Sequence, residues 1–541
     1  MQAMIQETPD AESRAIPKAP HAGHFQPASS AAPTKGWTRT KRNGSNSAAP
    51  KSGQTTKGAG KTGGHAKVKI NIVSTWDSVV HAGQMGLWGA EVSDKGGSLV
   101  YRWEDTYWRE QTQPMGETLI STWLAKEFHS ECDPKKVSAA WNFMNMRLRG
   151  SFPLPKRDTS KFIIPLSDAY LTIDESGVVQ AIEPDPKHGL TYSIKCSVDA
   201  ARGVYTPKAV PKDSLFWKFL THAMPDEGER RVLQEQCAMS LLPGRKSECA
   251  WWWGKAGAGK GEMTELVKSF HVQVGNIDLF TLDKEFALEA CYGASLVTCD
   301  EVDKGKWKES KFKTFVTGNS MAVGRKGIVN IHNYSNTAYV IINSNPAPFF
   351  TDPSNGVARR IIPLEWRHAV EEGTVEREIG KKIFELEARI VLDWLLEGVI
   401  RIVARGGKMM PNSELPESVR QFRQDLVIEN NVVRKWTVSD GVSPHKDCEH
   451  SKHDVYAQYV DWATADGAKV LEHDVFWRML WELPEFANHK NSGRQTTIRG
   501  VRTRTVRLAL SEEEARTAND QAGKAQAFVK DPESYDDSIS F

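Results

Sequence analysis

The chain has 541 residues and a mass of 60.4 kDa, which is long enough for roughly two or three domains with cores of their own. Its formal net charge of +2 neither favours nor excludes nucleic acid as a partner. The seven cysteines are scattered and odd in number, which indicates reduced thiols and argues against a disulfide-stabilised secreted domain.

The first segment, residues 1–67, is rich in Ala, Pro, Gly, Ser and Lys and has almost no large apolar residues. No acidic residue lies between Glu12 and Asp77. Such a composition cannot bury enough surface to offset the entropy of ordering, so it predicts a disordered basic tail. The tail can hold nucleic acid loosely, or it can serve only as a solubilising extension.

Residues 68–160 contain many tryptophans and predict an α+β domain with a core of large aromatic side chains. The run from Val100 to Trp108 alternates in polarity like a half-buried hairpin strand. No pattern of paired carboxylates and histidine supports nucleotide polymerisation here, so we expect any primase activity on a separate protein.

The centre of the chain combines an apolar run, Ala250 to Trp253, with a glycine-rich loop and a plausible helix after Glu262. In such a loop, glycines let consecutive N–H groups surround phosphates, and Lys260 reaches the β- and γ-phosphate oxygens of ATP. The usual hydroxyl-bearing residue after the lysine is replaced by Gly261, so either a water takes its place on magnesium or the ATPase is weakened. The predicted nucleotide-binding residues are Gly254, Lys255, Ala256, Gly257, Ala258, Gly259, Lys260 and Gly261.

Two later β-prone runs end in polar residues. The first delivers Asp300 and Glu301, and the second delivers Asn345 before Pro346. We predict that Asp300 holds Mg²⁺, that Glu301 polarises the attacking water, and that Asn345 orients this water against the γ-phosphate. Taken singly, an acidic pair is also typical of a solvated turn, and an Asn before Pro is typical of a turn cap.

An arginine pair, Arg359 and Arg360, precedes a further β-like run. In a ring of subunits, such an arginine can reach the γ-phosphate held by a neighbour. The alternative is an ordinary basic pair on the surface.

These residues, in this order and spacing, resemble the superfamily 3 helicases, specifically the phage and plasmid primase-helicases related to the poxvirus primase-helicase. The resemblance includes Phe312 to Asn319 and Gly324 to Gly327, which look like the family's helix and basic pore hairpin. It implies an α/β fold with a P-loop NTPase (AAA+-like) core over 246–370 and a lead-in with a helical collar over 161–245. It also implies a hexameric ring that contacts single-stranded DNA through Lys313, Arg325, Lys326 and His332.

Beyond this core, residues 371–440 predict a helical extension that contains a helix from Lys381 to Arg405. Its stripe of Asp393, Glu397, Arg401 and Arg405 excludes a membrane span. Residues 441–512 resemble a winged helix whose hairpin, over 494–507, carries Arg502 and Arg504 towards DNA, although such a module can equally bind protein. Residues 513–541 predict an acidic tail.

The sequence therefore predicts an ATP-dependent DNA helicase or translocase, with ATP and Mg²⁺ as cofactors, that acts in phage, prophage or plasmid replication. The expected partners are single-stranded DNA, further copies of the chain, and a separate primase or host replication proteins, all in the bacterial host cytoplasm. The alternative is an ATP-switched replication initiator or loader that binds DNA without processive unwinding.

Overall fold

A computed structural model describes residues 71, 76, 87–92, 98–128, 132–199, 201–302, 305–326, 330–350, 356–369, 378–468, 470–498 and 501–530. The predicted basic tail over 1–67 lies outside this set. Within it the fold is α/β, with a central parallel sheet flanked by helices and by smaller antiparallel sheets.

The N-terminal domain packs two helices against a three-stranded antiparallel sheet. Asp105 has a φ of 55°, which turns the chain between the second and third strands. The run from Val100 to Trp108 is therefore a whole hairpin rather than one of its strands, because its alternation continues across this tight turn. The elements are β1 (Trp88–Val92), β2 (Ser98–Glu104), β3 (Tyr107–Gln111), α1 (Gln113–Glu127) and α2 (Pro134–Ser151).

An antiparallel sheet in the order β4-β5-β6-β7 follows, and then two helices. Ser214 and Asp226 cap these helices with side-chain oxygens that accept hydrogen bonds from N–H groups of the first turn. The elements are β4 (Phe162–Pro165), β5 (Tyr170–Ile173), β6 (Val179–Ile182), β7 (Gly203–Tyr205), α3 (Leu215–Ala223) and α4 (Glu227–Met239).

The central sheet has five strands, all parallel, in the order β14-β8-β13-β10-β9. Its strands are continuous apolar runs because both faces are covered, as parallel sheets require. The elements of this region are β8 (Cys249–Gly254), α5 (Lys260–Phe270), β9 (Val274–Asn276), β10 (Leu296–Cys299), α6 (Glu309–Val316), β11 (Met321–Val323), β12 (Ile331–Tyr334), β13 (Tyr339–Ser344) and β14 (Ile361–Trp366).

A long helix, α7 (Ile379–Ala404), packs along α3, α4 and α5. It is kinked at Glu387, which has non-helical backbone angles and accepts hydrogen bonds from the first two N–H groups of α3. The fully buried carboxylate of Glu235 on α4 pairs with Arg401 and Arg405. This ion cluster fixes α7 against α4, because a buried charge is tolerated only when it is paired.

The C-terminal region is a helical domain with short strands, and it contains the predicted arginine-rich hairpin as β17 paired with β18. Within the predicted acidic tail over 513–541, the structure describes a helix as far as Lys530, and residues 531–541 lie outside the described part. Glu514 anchors this helix by accepting hydrogen bonds from His450 and from the Leu510 N–H. The elements are α8 (Glu417–Glu429), α9 (Val432–Ser439), β15 (Ser443–Pro444), β16 (His450–Ser451), α10 (Lys452–Ala465), α11 (His473–Glu482), β17 (Gln495–Ile498), β18 (Val501–Val506), β19 (Leu508–Ala509) and α12 (Glu512–Lys530).

In the part of the chain that the structure describes, no helix combines the length and the apolar character needed to cross a bilayer.

Candidate functional site

The strand order brings three chain segments to one edge of the central sheet. Since β13 lies between β8 and β10 and all three are parallel, their carboxyl ends meet there. The N–H of Val302, after β10, donates to the carbonyl of Asn343 near the end of β13, 3.1 Å away. A cleft of about 810 Å³ opens at this edge, in the place where open parallel sheets bind ligands.

One side of the cleft is the glycine-rich loop between β8 and α5. Gly254 has a φ of 134°, and a β-carbon there would lie 2.2 Å from the carbonyl oxygen of Trp366. Gly257 and Gly259 also have positive φ, at 76° and 93°. Only glycine adopts such angles at little cost, so the loop's shape depends on these three positions.

The ammonium of Lys260 lies inside this loop. It donates to the carbonyl oxygens of Gly254 and Lys255, at 2.8 and 2.7 Å. Burial lowers the pKa of Lys260, because it removes water from around the charged ammonium. An anion in the cleft would supply the negative charge that the lysine lacks.

The position after the lysine is open. A β-carbon on Gly261 would meet no atom within 4 Å. The nearest hydroxyl on the same helix belongs to Thr264, which donates to the Lys260 carbonyl and accepts from the Nδ2 of Asn343, both at 2.9 Å. This hydroxyl is therefore occupied within the protein.

On the opposite side, both carboxylate oxygens of Asp300 are engaged. Oδ1 accepts from the Nδ2 of Asn343 at 2.8 Å, and Oδ2 accepts from the Nζ of Lys268 at 3.1 Å. Glu301 is exposed in the cleft and has a φ of 58°, a left-handed backbone conformation that is uncommon outside glycine. Lys268 also pairs with Glu265, which lies on the same helix.

The end of β13 is held by its own turn. The indole N–H of Trp251 donates to the Ser344 hydroxyl at 2.8 Å, and this hydroxyl donates to the carbonyl of Pro346 at 2.7 Å. Asn345 follows and lines the cleft. Asn343 is buried, and its Oδ1 has no hydrogen-bond partner among the described residues.

The sequence analysis identified Lys260, Asp300, Glu301 and Asn345, and these four residues line one cleft. It missed Asn343, whose signal was an amide inside an otherwise apolar strand. It also missed the wall formed by α3, because nothing in a helical pattern tells which face meets a loop more than thirty residues later. That wall presents Leu215, Lys218, Phe219 and His222.

Arg359 and Arg360 do not belong to this cleft. They directly precede β14, whose first residue, Ile361, pairs with Cys249 at the start of β8. Both arginines therefore lie at the amino-terminal edge of the sheet, opposite the cleft. Arg359 is exposed, whereas Arg360 is half-buried and donates to the carbonyl of Gly356.

The candidate DNA-contacting residues around the β11–β12 segment differ in availability. Lys326 and His332 are exposed and Lys313 is half-buried. Arg325 is only 8 % exposed; its guanidinium pairs with Glu110 at 2.8 Å and lies 5.1 Å from the ring centre of Tyr292. In this conformation Arg325 cannot reach a phosphate, because its guanidinium is paired with Glu110 on β3 of the N-terminal sheet.

In the arginine-rich hairpin, Arg504 is exposed and donates to the side-chain oxygen of Asn491 at 2.7 Å. Burial, together with the nearby charges of Lys490 and Arg504, lowers the pKa of Lys452. The hairpin therefore belongs to a positively charged patch. The side chain of Arg502 lies outside the described part of the structure.

Comparisons with known proteins give a family and a set of solved structures. A family described as "Family of unknown function (DUF5906)" matches residues 252–360. "The A form apo structure of NrS-1 C terminal region-CTR" is similar at a TM-score of 0.36 and 15% identity, covering 65% of this chain and 96% of that one. "The apo structure of NrS-1 C terminal region (305-718)" gives a TM-score of 0.34 at 15% identity, with the same coverage of 65% and 96%. A search of curated proteins found no match.

Proposed function

We propose that this chain is an ATP-driven translocase that moves on single-stranded DNA as a ring and unwinds duplex during phage, prophage or plasmid replication. The observation that carries the proposal is the convergence of Lys260, Asp300, Glu301 and Asn345 on one cleft at the carboxyl edge of a parallel sheet. Phosphoryl transfer needs a phosphate-binding cation, a metal-binding carboxylate and residues that position water.

The cleft fits ATP in size and in the chemistry of its walls. Its volume of about 810 Å³ is within the range of nucleotide-sized pockets. The loop from Gly254 to Gly259 would surround the phosphates with backbone N–H groups, at the N-terminus of α5, where negative charge is favoured. Phe219 and Lys218 on α3 also line the cleft, and the ring of Phe219 lies against Gly259 of the loop.

The acidic side fits Mg²⁺, which prefers oxygen ligands and keeps several waters. Asp300 is the carboxylate donor, and the unpartnered Oδ1 of Asn343 is a further oxygen beside it. Gly261 contributes none, so a water would occupy the position that a hydroxyl takes in related loops. When bound, the metal neutralises phosphate charge.

The remaining roles belong to residues of the chain. The left-handed backbone at Glu301 is a sparsely populated conformation, of the kind that concentrates at functional sites. We assign Glu301 to polarising the attacking water and Asn345 to orienting it. Lys268 forms an ion pair with Asp300 and so holds this carboxylate in place.

The position of the arginine pair supports the proposed ring. Since Arg359 and Arg360 lie at the edge of the sheet opposite the cleft, neither can act on the nucleotide of its own subunit. We assign them to the cleft of a neighbouring copy, in a closed hexameric ring. Single-stranded DNA would contact Lys326 in the pore and Arg504 on the C-terminal hairpin.

ATP hydrolysis with and without single-stranded DNA tests the proposal. We expect DNA to stimulate turnover in the native chain, and Lys260→Ala to lower it by at least about 100-fold, since a preorganised charge on the transferring phosphate is lost. Lys187→Ala, at an exposed lysine far from the cleft, should match the native chain. If the native chain binds DNA but does not hydrolyse ATP, the proposal of a translocase is wrong.

A second candidate is supported by Gly261. Without a hydroxyl ligand, the chain could bind ATP as a slow switch and act as a replication initiator or loader. Strand displacement by the isolated protein separates the two: a translocase unwinds a forked duplex in proportion to ATP consumed, whereas a switch binds the fork and leaves it paired.

A further inference from the structure

A second large cleft lies at the amino-terminal edge of the central sheet. Its volume is about 880 Å³, similar to that of the cleft lined by Lys260 and Asp300, which we call the nucleotide cleft after its proposed ligand. It is bounded by the segment before β8, by Arg359 two residues before β14, by the turn after α7 and by Arg423 of α8. We call it the cationic cleft, after its five positively charged side chains, Arg245, Lys246, Arg359, Lys408 and Arg423.

The cationic cleft has a strong excess of positive charge. Glu248 is its single carboxylate, set against the five cations. Glu248 is engaged by Arg423 at 3.6 Å, and burial still raises the pKa of Glu248. Four positive charges are therefore uncompensated. This is unusual for a concave surface, where low-dielectric walls strengthen the repulsion between like charges.

Most of these cations lack an anionic partner. Within the described residues, Lys246, Arg359 and Lys408 make no ion pair, and Arg245 donates only to the neutral side-chain oxygen of Asn319, at 3.1 Å. Burial and the nearby guanidinium of Arg157 lower the pKa of Lys246 to about 8. Holding such a cluster together costs free energy that an anion would recover.

We propose that the cationic cleft binds the polyphosphate group of a nucleotide. Five cations that converge on one cavity match a compact anion with three or four charges. They match a nucleic-acid backbone less well, because its phosphates carry one charge each and follow an extended path along a surface. Guanidinium and ammonium groups together suit this ligand, since arginine binds phosphate oxygens in pairs and lysine acts as a point charge.

The same ligand chemistry can come from two sources. One is free nucleotide, which would make the cleft a second site on each chain. The other is the triphosphate already held in the nucleotide cleft of a neighbouring copy, and that version rests on the ring proposed above. In the second case Lys246, Lys408 and Arg423 would act beside Arg359 on the neighbour's phosphates.

The first experiment uses inorganic tripolyphosphate and the full-length chain carrying Lys260→Ala, so that the nucleotide cleft contributes little. Calorimetric titration should detect binding, and Lys246→Gln with Lys408→Gln in the same chain should weaken it by at least about tenfold, the usual effect of losing charge-assisted contacts. The control is Lys161→Gln with Lys187→Gln, at two exposed lysines elsewhere. Equal affinity in both double variants, or no binding at all, overturns the proposal.

The second experiment separates the sources by mixing chains. Lys260→Ala chains keep an intact cationic cleft, and Lys246→Gln/Lys408→Gln chains keep an intact nucleotide cleft. If the ligand belongs to a neighbour, mixing restores ATP hydrolysis, because some interfaces then combine the two intact halves. If it is free nucleotide, the Lys246→Gln/Lys408→Gln chains hydrolyse ATP without mixing, because their nucleotide cleft is intact, and dilute native chains bind two polyphosphates each. If tripolyphosphate binds in the first experiment but no chain or mixture hydrolyses ATP, the polyphosphate site is supported and the proposal of an ATP-driven translocase is wrong.

Discussion

Gly261 occupies the position at which a phosphate-binding loop usually has a hydroxyl-bearing residue. The space around Gly261 allows that hydroxyl to be introduced by substitution. Because no atom lies within 4 Å of a β-carbon there, Gly261→Ser should be accommodated without rearrangement. Its hydroxyl would add an oxygen ligand for Mg²⁺, and we expect hydrolysis at limiting Mg²⁺ to rise several-fold.

The control for this change is Gly257→Ser in the same loop, where φ is 76° and a side chain is strained whatever the space. We expect this variant to lose ATP affinity. If Gly261→Ser also lowers hydrolysis, the glycine serves the loop's conformation and does not reflect a missing ligand.

Lys246 gives the cationic cleft a pH dependence. Its pKa is lowered to about 8, so its charge is present below about pH 8 and is lost as the pH rises above that value. Tripolyphosphate affinity in the Lys260→Ala background should therefore fall between about pH 7 and about pH 9. Lys246 also faces other charged groups. They are the arginines of the cleft together with Arg157, the carboxylate of Glu248 and the exposed Lys408.

Lys246→Arg isolates this effect, because a guanidinium stays charged throughout that range. Both chains are titrated with tripolyphosphate by calorimetry over this pH range. Any ionisation of the tripolyphosphate itself affects the two titrations equally. A decline of equal steepness in the two chains would show that Lys246 is not the titrating group.

At this scale the sequence predicted the loop, since Gly254, Gly257 and Gly259 carry its shape by themselves. It did not predict that Arg325 is buried, because the partner carboxylate, Glu110, lies 215 positions earlier in the chain. Asn343 was missed for a related reason. An amide within a strand gains its meaning only from Asp300 and Thr264, which the fold brings beside it.

At the scale of elements, the buried carboxylate of Glu235 determines how α4 and α7 associate. Spacing along α7 suggests that Glu397 pairs with Arg401 one turn later, yet Arg401 and its neighbour Arg405 both pair with Glu235. A pairing across helices is preferred because Glu235 is fully buried and has no access to water. Helix positions were readable from the apolar runs, but partners on another helix were not.

Removing this charge should therefore be costly. We expect Glu235→Gln to lower the free energy of unfolding by about 3 kcal/mol, since two part-buried guanidinium groups lose their counter-ion. Urea denaturation followed by circular dichroism measures the change. Glu397→Gln, which removes only an acceptor for Gln234, should cost less than about 1 kcal/mol. Similar losses in the two variants would contradict the assignment.

At the scale of the whole molecule, the parallel sheet separates two clefts of similar size, one at each edge. The strand runs and their polar ends were predictable from the sequence. The order β14-β8-β13-β10-β9 was not, because periodicity describes each strand alone and leaves its neighbours undetermined. That order decides which polar ends meet, and so it decides the composition of both clefts.

Close packing of α7 on the helix of the glycine-rich loop gives a test at this scale. A β-carbon on Gly380 would lie 2.2 Å from the carbonyl oxygen of Glu262, so Gly380→Ala should push α7 away from α5. We expect lower thermal stability together with weaker ATP binding, measured by fluorescence titration of a labelled nucleotide.

Gly398→Ala is the matched variant farther along the same helix, where a β-carbon would lie 2.9 Å from the Ala238 side chain. It should lower stability and leave ATP affinity unchanged. If both variants bind ATP like the native chain, the contact between α5 and α7 does not influence the cleft.

This contact also has a mechanical consequence. The carboxylate of Glu262 accepts a hydrogen bond from the N–H of Gly380 at 2.9 Å, so the first turn of α7 is tied to the glycine-rich loop's helix. From there α7 runs for 26 residues, with its kink at Glu387, to the turn that carries Lys408. α7 therefore joins the helix of the glycine-rich loop to the turn beside the cationic cleft, at the opposite edge of the sheet. In the proposed ring, this one helix would link each subunit's own glycine-rich loop to the residues that we assign to its neighbour's nucleotide.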